Sequence, residues 1–262
     1  MPTAKETIDW YDNNADEFTA HIQDPAASPY HAYYEKPAIY AELPDLKTKS
    51  VISLGCGSGE DTQYLKSQGA SKSIGIDISQ KLIDIAKKNH PDCAFHVMDM
   101  EHLDFDSKSF DLVYSSLAMH YLQGGFTKAF REAFRVLKKG GTFLFSGGHP
   151  IVSSFTYLQD NEKTRDRRLG STVNRENDTE QVFGDYLTAR PIKNEQGILQ
   201  VIIWHQPLSD TINQLIETGF ILDKVIEPKP TEGFKDISPR HYERLSKIPE
   251  IVIFKAHKPA GI

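Results

Sequence analysis

The sequence predicts a doubly wound α/β fold, in which helices cover both faces of a mainly parallel sheet. Between about residues 50 and 145, short apolar segments alternate with segments of helical periodicity. The alternation is interrupted by a long polar stretch and resumes at about residue 206. Strands that are joined through helices of this length form parallel sheets with right-handed crossovers. These observations favour one wound sheet with an insertion.

Each element has its own local signal. Strands are predicted at 50–54, 72–78, 93–98, 110–115, 142–145, 220–226 and 251–255, where apolar residues form short runs. Helices are predicted at 60–67, after Ser79 as N-cap, from Phe126 to Gly140–Gly141, and from Leu208 to a stop at Gly219. Small hydroxyl residues cap helix starts, and glycine ends helices by adopting a positive φ.

We interpret the 262 residues as a single domain with additions. Residues 1–45 are expected to form an N-terminal helical cap, 46–147 and 206–258 the wound core, and 148–205 a lid over the substrate. A structureless loop of the lid's length is improbable in a compact domain, so strands are expected within it, at 181–187 and 198–204.

Composition narrows the functional classes. The chain is 39% hydrophobic and 25% charged, and its net charge of -6 makes a nucleic-acid partner unlikely. No apolar run is long enough to predict a membrane span, and the first residues lack the pattern of a signal peptide. Cys56 and Cys93 do not suggest a disulfide framework, so we expect a cytoplasmic protein. We expect it to be either a monomer or a homodimer.

The segment LGCGSGE, residues 54–60, ends the first predicted strand with three glycines in alternate positions. Glycines there let a ligand approach the backbone, at the sheet edge where wound folds bind ligands. The dinucleotide fingerprint G-x-G-x-x-G would need glycine at position 60, where Glu60 would repel a pyrophosphate. An NAD-dependent oxidoreductase is the alternative on a related fold. Glu60 argues against it, and the sequence contains no Tyr-x-x-x-Lys hydride-transfer pair that would support it.

The G-x-G-x-G form instead resembles motif I of the class I S-adenosylmethionine-dependent methyltransferases. GIDIS, VMDME and FDLVYSS follow at the places where that family has its later motifs. The resemblance implies a Rossmann-like sheet of seven strands with the last strand antiparallel. It also implies S-adenosyl-L-methionine as cofactor, S-adenosyl-L-homocysteine as product, and no metal.

By this resemblance, Asp77 would accept hydrogen bonds from both ribose hydroxyls, as only a carboxylate can, and Asp99 would bind the adenine edge. Met100 would lie beside the adenine ring. The cofactor residues that we expect are Tyr11, Gly55, Cys56, Gly57, Gly59, Asp77, Ile78, Asp99, Met100, Ser115 and Ser116. For Tyr11, packing of the cap on the sheet is an equal alternative.

FSGGHP at 145–150 and WHQPLSDTINQLIETGF at 204–220 are similar to the UbiE-like group of small-molecule methyltransferases. This similarity implies a small-molecule acceptor beneath the lid, methylated by in-line displacement. A non-catalytic partner subunit that retains the cofactor fold is a further alternative.

Three histidines are candidates for a general base that would remove a proton from the acceptor. His120 follows the fourth strand, His149 follows the fifth, and His205 lies where the lid returns to the core. For each, a capping or surface role is the alternative.

Overall fold

The computed structural model describes residues 3–161, 164–194 and 200–261. In these residues the strands are β1 (Ser50–Leu54), β2 (Lys72–Asp77), β3 (Ala94–Val97), β4 (Phe110–Ser115), β5 (Leu137–Gly148), β6 (Thr156–Asn161), β7 (Thr164–Arg168), β8 (Gly170–Asn174), β9 (Thr179–Phe183), β10 (Arg190–Asn194), β11 (Val201–His205), β12 (Ile221–Ile226) and β13 (Ile251–His257). The helices are α1 (Lys5–Asn13), α2 (Ala15–Gln23), α3 (Lys36–Tyr40), α4 (Glu60–Ser67), α5 (Gln80–Asn89), α6 (Thr127–Val136), α7 (Pro150–Ser153), α8 (Leu208–Thr218), α9 (Glu232–Ile237) and α10 (Pro239–Leu245). A π-helix (His31–Glu35) precedes α3, and a 3-10 turn (Met119–Tyr121) follows β4.

The main sheet has seven strands in the order β12-β13-β5-β4-β1-β2-β3. β13 is antiparallel to both of its neighbours, β12 and β5, and the pairs among β1 to β5 are parallel. The strand order reverses beside β1, so the end of β1 is the switch point where wound sheets bind ligands. The predicted doubly wound sheet with an antiparallel last strand is confirmed.

Two apolar layers hold the sheet, one on each face. Ile52 and Leu54 of β1 belong to a core that also contains Phe130 of α6 and Leu215 of α8. Val51, which directly precedes Ile52, belongs to a second core that contains Ile39, Phe234 and Leu245 of α3, α9 and α10. Because successive strand side chains point to opposite faces, an apolar strand must be covered on both sides.

The prediction for the end of α6 was wrong by four residues. The helix ends at Val136, and Leu137 is already extended, with ψ 137°. Gly140 N–H donates to the carbonyl of Lys258, and Lys258 N–H donates to the carbonyl of Gly141. Backbone pairing with the C-terminal segment therefore takes the place of the last helical turn.

The described residues of the polar stretch between β5 and α8 form three antiparallel two-stranded ribbons, β6–β7, β8–β9 and β10–β11. The strand expected at 181–187 is instead Thr179–Phe183, and Gly184 follows it with φ +78°. Of the strand expected at 198–204, residues 198–199 lie outside the described residues, and β11 covers Val201–His205. Residues 162–163 and 195–197 of the expected lid also lie outside them. The division into cap, core and lid stays a prediction.

Candidate cofactor and acceptor site

A large cavity of about 1210 Å³ opens at the carboxyl ends of β1, β2 and β4. Helix α1 and the ribbon β10–β11 form its outer walls, through residues such as Tyr11, Ile192 and Trp204. Thr7 of α1 joins these two walls, because its Oγ1 accepts a hydrogen bond from Ile202 N–H at 3.0 Å. The described cap and insertion thus enclose the ligand edge of the sheet.

The glycine loop forms the floor at one end of the cavity. Gly55 and Gly57 line it, and both have positive φ, +66° and +54°. A Cβ on Gly57 would meet only Phe18, at 3.8 Å, whereas one on Gly59 would lie 2.8 Å from the Phe95 ring. Gly57 therefore keeps space for a ligand, Gly55 permits the close approach of Ala118, where a Cβ would lie 2.4 Å away, and Gly59 permits α4 to pack against β3.

Asp77 lies at the end of β2, beside this loop. Its Oδ2 accepts from Gly57 N–H at 2.9 Å, and its Oδ1 accepts from Ser79 N–H at 3.0 Å. Burial raises the pKa of Asp77, and the N–H groups of Ser79, Gly57 and Ile78 oppose that rise. A carboxylate has about four acceptor positions, so each oxygen retains one for a ligand hydroxyl.

An apolar slot adjoins Asp77. Ile78, Leu82, Met98 and Met100 line it, together with the carboxylate of Asp99. Asp99 Oδ1 accepts from Glu101 N–H at 2.9 Å, which fixes the turn after β3. A flat ring between methionine and aliphatic side chains, with its polar edge toward Asp99, fits this slot. The glycine floor, the two carboxylates and the slot thus suit S-adenosylmethionine.

Tyr11 of the N-terminal helix lies in the cavity wall and not only in the packing of the cap. Its hydroxyl is 2.6 Å from that of Tyr121, and its ring lies edge-on to Phe18. Burial raises the pKa of Tyr121 to about 12 and that of Tyr11 well above its usual range. Both phenols are therefore neutral at physiological pH.

Four of the other predicted cofactor residues have defined positions. Ile78 and Ser116 line the cavity, but Cys56 and Ser115 are not among its lining residues. Cys56 packs in a small cluster with Ile83, Ala86 and Phe95. Ser115 is fully buried, and its Oγ donates to the carbonyl of Leu54. Ser115 thus links β4 to β1, and Cys56 packs the loop after β1 against α5 and β3.

Ser116 belongs to a buried polar cluster beneath the cavity. Lys36 Nζ lies 2.5 Å from Asp61 Oδ2 and 2.7 Å from Ser116 Oγ. Glu35 is fully buried and accepts from the hydroxyls of Ser116 and Ser146. The π-helix places Glu35 and Lys36 side by side in this cluster, a geometry that π-helical turns often provide at functional sites.

His149 lines the cavity, but both of its ring nitrogens have partners. Nδ1 accepts from Ile151 N–H at 3.2 Å and caps α7, while Nε2 lies 3.0 Å from Glu227 Oε1. The first bond requires a bare Nδ1, so Nε2 carries the hydrogen and donates to Glu227. The capping alternative describes His149 well in this geometry.

His205 is also paired at both nitrogens and is buried, with 1% of its surface exposed. Nδ1 lies 2.6 Å from Ser153 Oγ, and Nε2 lies 3.0 Å from the carbonyl of Tyr186. Ser153 itself lines the cavity, whereas His205 is not among the lining residues. His205 thus contacts the cavity through a serine.

His120 differs from the other two histidines. It lines the cavity, and within the described residues its buried Nδ1 has no hydrogen-bond partner. Burial lowers the pKa of His120 to about 4, so the ring is neutral at physiological pH. The indole N–H of Trp204, also in the wall, likewise has no partner among these residues. Both atoms are themselves buried, so the cavity wall contains two polar groups without a partner among the described residues.

Several residues at the site had no local sequence signal. Asp12, Lys36, Tyr121, Ser153 and Trp204 were not predicted as site residues, although each lies at the cavity or supports it. The aromatic-rich cap sequence, YHAYYEK at 30–36, was the one available indication for Lys36.

In the described part of the chain, no helix combines the length and apolarity needed to cross a membrane.

Comparison with known proteins agrees with this geometry. A family model described as a methyltransferase domain matches residues 52–145, which run from β1 into β5. An S-adenosylmethionine-dependent methyltransferase from Mesorhizobium loti is 30% identical, with a TM-score of 0.70, and the match covers 85% of this chain and 96% of that one. A putative S-adenosylmethionine-dependent methyltransferase from Listeria monocytogenes is 26% identical, with a TM-score of 0.67, over 86% and 96% of the two chains.

A phthiotriol/phenolphthiotriol dimycocerosates methyltransferase from Mycobacterium tuberculosis is 35% identical over 109 residues, which is 40% of each chain. The similarity to this relative therefore covers less than half of either protein. The match to the Mesorhizobium loti protein, in contrast, spans nearly all of that chain. With the switch-point glycines and the two carboxylates in the same cavity, these matches show that the chain belongs to the class I S-adenosylmethionine-dependent methyltransferases.

Proposed function

We propose that the protein transfers the methyl group of S-adenosylmethionine to a small-molecule acceptor inside the large cavity, by in-line displacement. One observation carries the proposal: most of the predicted cofactor residues, Gly57, Asp77 and Asp99 among them, line the same cavity as the walls made by α1 and β10–β11. About 1210 Å³ exceeds what most single ligands need, so the cavity has room for two molecules.

Bound at the glycine floor, the cofactor supplies an activated methyl group on a sulfonium. The chain's own contribution is to orient the acceptor and to exclude water. Leu117, Val152, Ile203 and Trp204 give the acceptor end an apolar lining. Positive charge disperses as the sulfonium becomes a thioether, and such a lining favours that change over the charged ground state.

The polar groups at the acceptor end divide the three candidate histidines. His120 lines the cavity with a neutral ring, but a group with a pKa of about 4 is a weak base. His149 has no free nitrogen. His205 acts through Ser153. We therefore assign orientation of the acceptor to His120 and Trp204, and no direct role in proton removal to His149.

Isothermal titration with S-adenosylmethionine, S-adenosylhomocysteine and NADH tests the proposal. We expect the first two to bind with dissociation constants on the order of micromolar, and NADH to give no heat. Acceptors are then screened with a radiolabelled methyl donor. Binding of NADH alone would favour the oxidoreductase alternative, and cofactor binding without transfer to any acceptor class would favour a non-catalytic partner subunit.

Three expectations accompany this proposal. We propose that the protein belongs to the UbiE-like group, that it acts in the cytoplasm as a monomer or homodimer, and that nucleic acid is not its acceptor. The net charge of -6 supports the last of these. Size-exclusion chromatography with light scattering measures the oligomeric state directly.

A further inference from the structure

Ser153 and His205 form a hydrogen-bonded dyad at the acceptor end of the cavity. Ser153 lies at the end of the short helix α7, and His205 lies at the end of β11, 52 residues later. Ser153 Oγ and His205 Nδ1 are 2.6 Å apart. Neither residue is required for the cofactor contacts at Gly57, Asp77 and Asp99, so the dyad is a separate feature of the same cavity.

The partner of the other ring nitrogen fixes the direction of this hydrogen bond. His205 Nε2 lies 3.0 Å from the carbonyl oxygen of Tyr186, which can only accept. Nε2 must therefore carry a hydrogen. In the neutral ring Nδ1 is then bare, and at 2.6 Å it accepts the hydroxyl hydrogen of Ser153 in preference to the carbonyl of Pro150, which lies farther from Oγ at 3.2 Å.

The neutral state of His205 agrees with its surroundings. Burial lowers the pKa of His205, and the nearby cation Arg190 lowers it further. The Tyr186 carbonyl and the carboxylates of Asp185 and Asp210 act in the opposite direction, and the net shift is downward. At physiological pH the ring is therefore neutral.

Because Ser153 donates its single hydrogen to His205, only lone pairs of its Oγ remain for a molecule in the cavity. Such an oxygen binds an acceptor that carries a hydrogen on its reacting atom, and it gives nothing to one that lacks a hydrogen. We propose that the methyl acceptor is a hydroxyl compound, an inference that rests on the proposed function. Ser153 is then a catalytic residue, which takes the proton of the acceptor hydroxyl. His205 is the positioning residue behind Ser153.

The proposed step balances as follows for an alcohol or phenol. A bond forms between the acceptor oxygen and the methyl carbon while the carbon–sulfur bond breaks, and its electron pair stays on sulfur. The acceptor's proton passes to Ser153 Oγ, and the Ser153 proton passes to His205 Nδ1. The products are the methyl ether, S-adenosylhomocysteine and an imidazolium at His205, which returns its proton to water through Ser153 when the products leave.

The first test uses no turnover. In protein saturated with S-adenosylhomocysteine, ¹⁵N spectra of the imidazoles should show His205 with hydrogen on Nε2 and a bare, hydrogen-bonded Nδ1. In Ser153→Ala the Nδ1 signal should shift to that of a nitrogen without this bond. Hydrogen on Nδ1 in the wild-type protein would overturn the proposal, because Ser153 could not then donate to it.

The second test measures binding of two matched probes, 1-naphthol and naphthalene, to the same loaded protein. Naphthol should bind more tightly than naphthalene by about fivefold, which is the effect of one net hydrogen bond. Ser153→Ala should abolish the difference. The control Ser154→Ala should retain it, since Ser154 is buried and its Oγ donates to the carbonyl of Ile151. Equal binding of both probes to wild type would contradict the proposal.

The third test separates proton transfer from orientation. In His205→Asn the amide oxygen can still accept the Ser153 hydrogen but takes no proton. Naphthol binding should therefore persist, while labelled methyl transfer to naphthol falls by about 100-fold. Unchanged transfer, or none in wild type despite binding through Ser153, would overturn the proton step. Each variant is also titrated with S-adenosylmethionine. If the proposed function is wrong, the cofactor does not bind; if only the proton step is wrong, the cofactor still binds.

Discussion

Asp12 of helix α1 is hydrogen-bonded to Ser79, the N-cap of helix α5. Ser79 Oγ donates to Asp12 Oδ1 at 2.6 Å, and Lys81 N–H donates to the same oxygen at 3.2 Å. Ser79 Oγ also accepts from Leu82 N–H, as an N-cap should. The N-terminal helix is thereby fastened to the turn that follows Asp77, and Tyr11 is held in the cavity wall.

Replacement Asp12→Ala should weaken cofactor binding severalfold without touching the cofactor residues. The change removes one oxygen that supports the start of α5, with a cost of about 1 kcal/mol in unfolding free energy. It also frees α1, so Tyr11 loses its fixed position. Titration with S-adenosylhomocysteine and urea unfolding measure the two effects. Asp12→Asn keeps Oδ1 and should retain most of the affinity; equal affinity in all three proteins would refute the link.

Replacement Asp77→Ala should weaken binding of S-adenosylmethionine at least tenfold, which corresponds to about 1.4 kcal/mol. The sequence predicts that the fold survives, and the structure adds a modest cost, because Gly57 and Ser79 each lose a backbone hydrogen-bond acceptor. Isothermal titration of the folded variant measures the affinity. Asp84→Ala, an exposed acid on α5, is the matched control for charge. Unchanged affinity in Asp77→Ala would remove the ribose assignment.

Replacement Lys36→Met should destabilise the protein by about 3–5 kcal/mol, because it leaves Asp61 and Glu35 as buried acids without their cation. Lys36 is close to both carboxylates, at 2.5 and 3.3 Å. Chemical denaturation measures the loss. Lys5→Met, which removes an exposed i,i+4 pair with Asp9, should cost about 0–1 kcal/mol and serves as the control.

The ion pair between Lys36 and Asp61 predicts that the stability of the protein depends on pH. Burial alone would raise the pKa of Asp61, but Lys36 and the Tyr40 hydroxyl outweigh it, so the pKa lies below its usual 3.8. A carboxyl group with a depressed folded-state pKa contributes its full stabilisation above the unfolded-state pKa. This contribution is lost as the pH falls through the folded-state pKa. The stability difference between wild type and Lys36→Met should therefore shrink in acid. Unfolding curves from about pH 7 to about pH 3 test this; a constant difference would contradict the ion pair.

Two glycine replacements should have opposite effects. Gly57→Ala places its Cβ at the cavity floor, 3.8 Å from Phe18, so it should impair cofactor binding more than folding. Gly59→Ala places its Cβ 2.8 Å from the Phe95 ring and 2.9 Å from His90, so it should impair folding more than binding. Thermal melting and cofactor titration of both variants give the comparison. Equal losses in both assays would mean that the two glycines share one role.

The sequence alone determined the wound sheet and predicted most of the residues at one end of the cavity, because both depend on local patterns. Strand–glycine–helix order sets the conformation within LGCGSGE, and Asp77 follows its strand directly. Boundaries held where an N-cap or a positive-φ glycine marked them, as at Ser79 and Gly219. They failed at the end of α6, where pairing with the distant segment around Lys258 displaced the last turn.

The acceptor end was decided by the tertiary structure. The sequence treated His120, His149 and His205 alike. Only the fold distinguished them, as a histidine whose Nδ1 has no partner in the described part of the chain, a helix cap and a partner of Ser153. Asp12 and Ser79 are 67 residues apart, and no local pattern connects them. A side chain's hydrogen-bond partners depend on which distant segments pack together, and for this site those segments are the cap and the insertion.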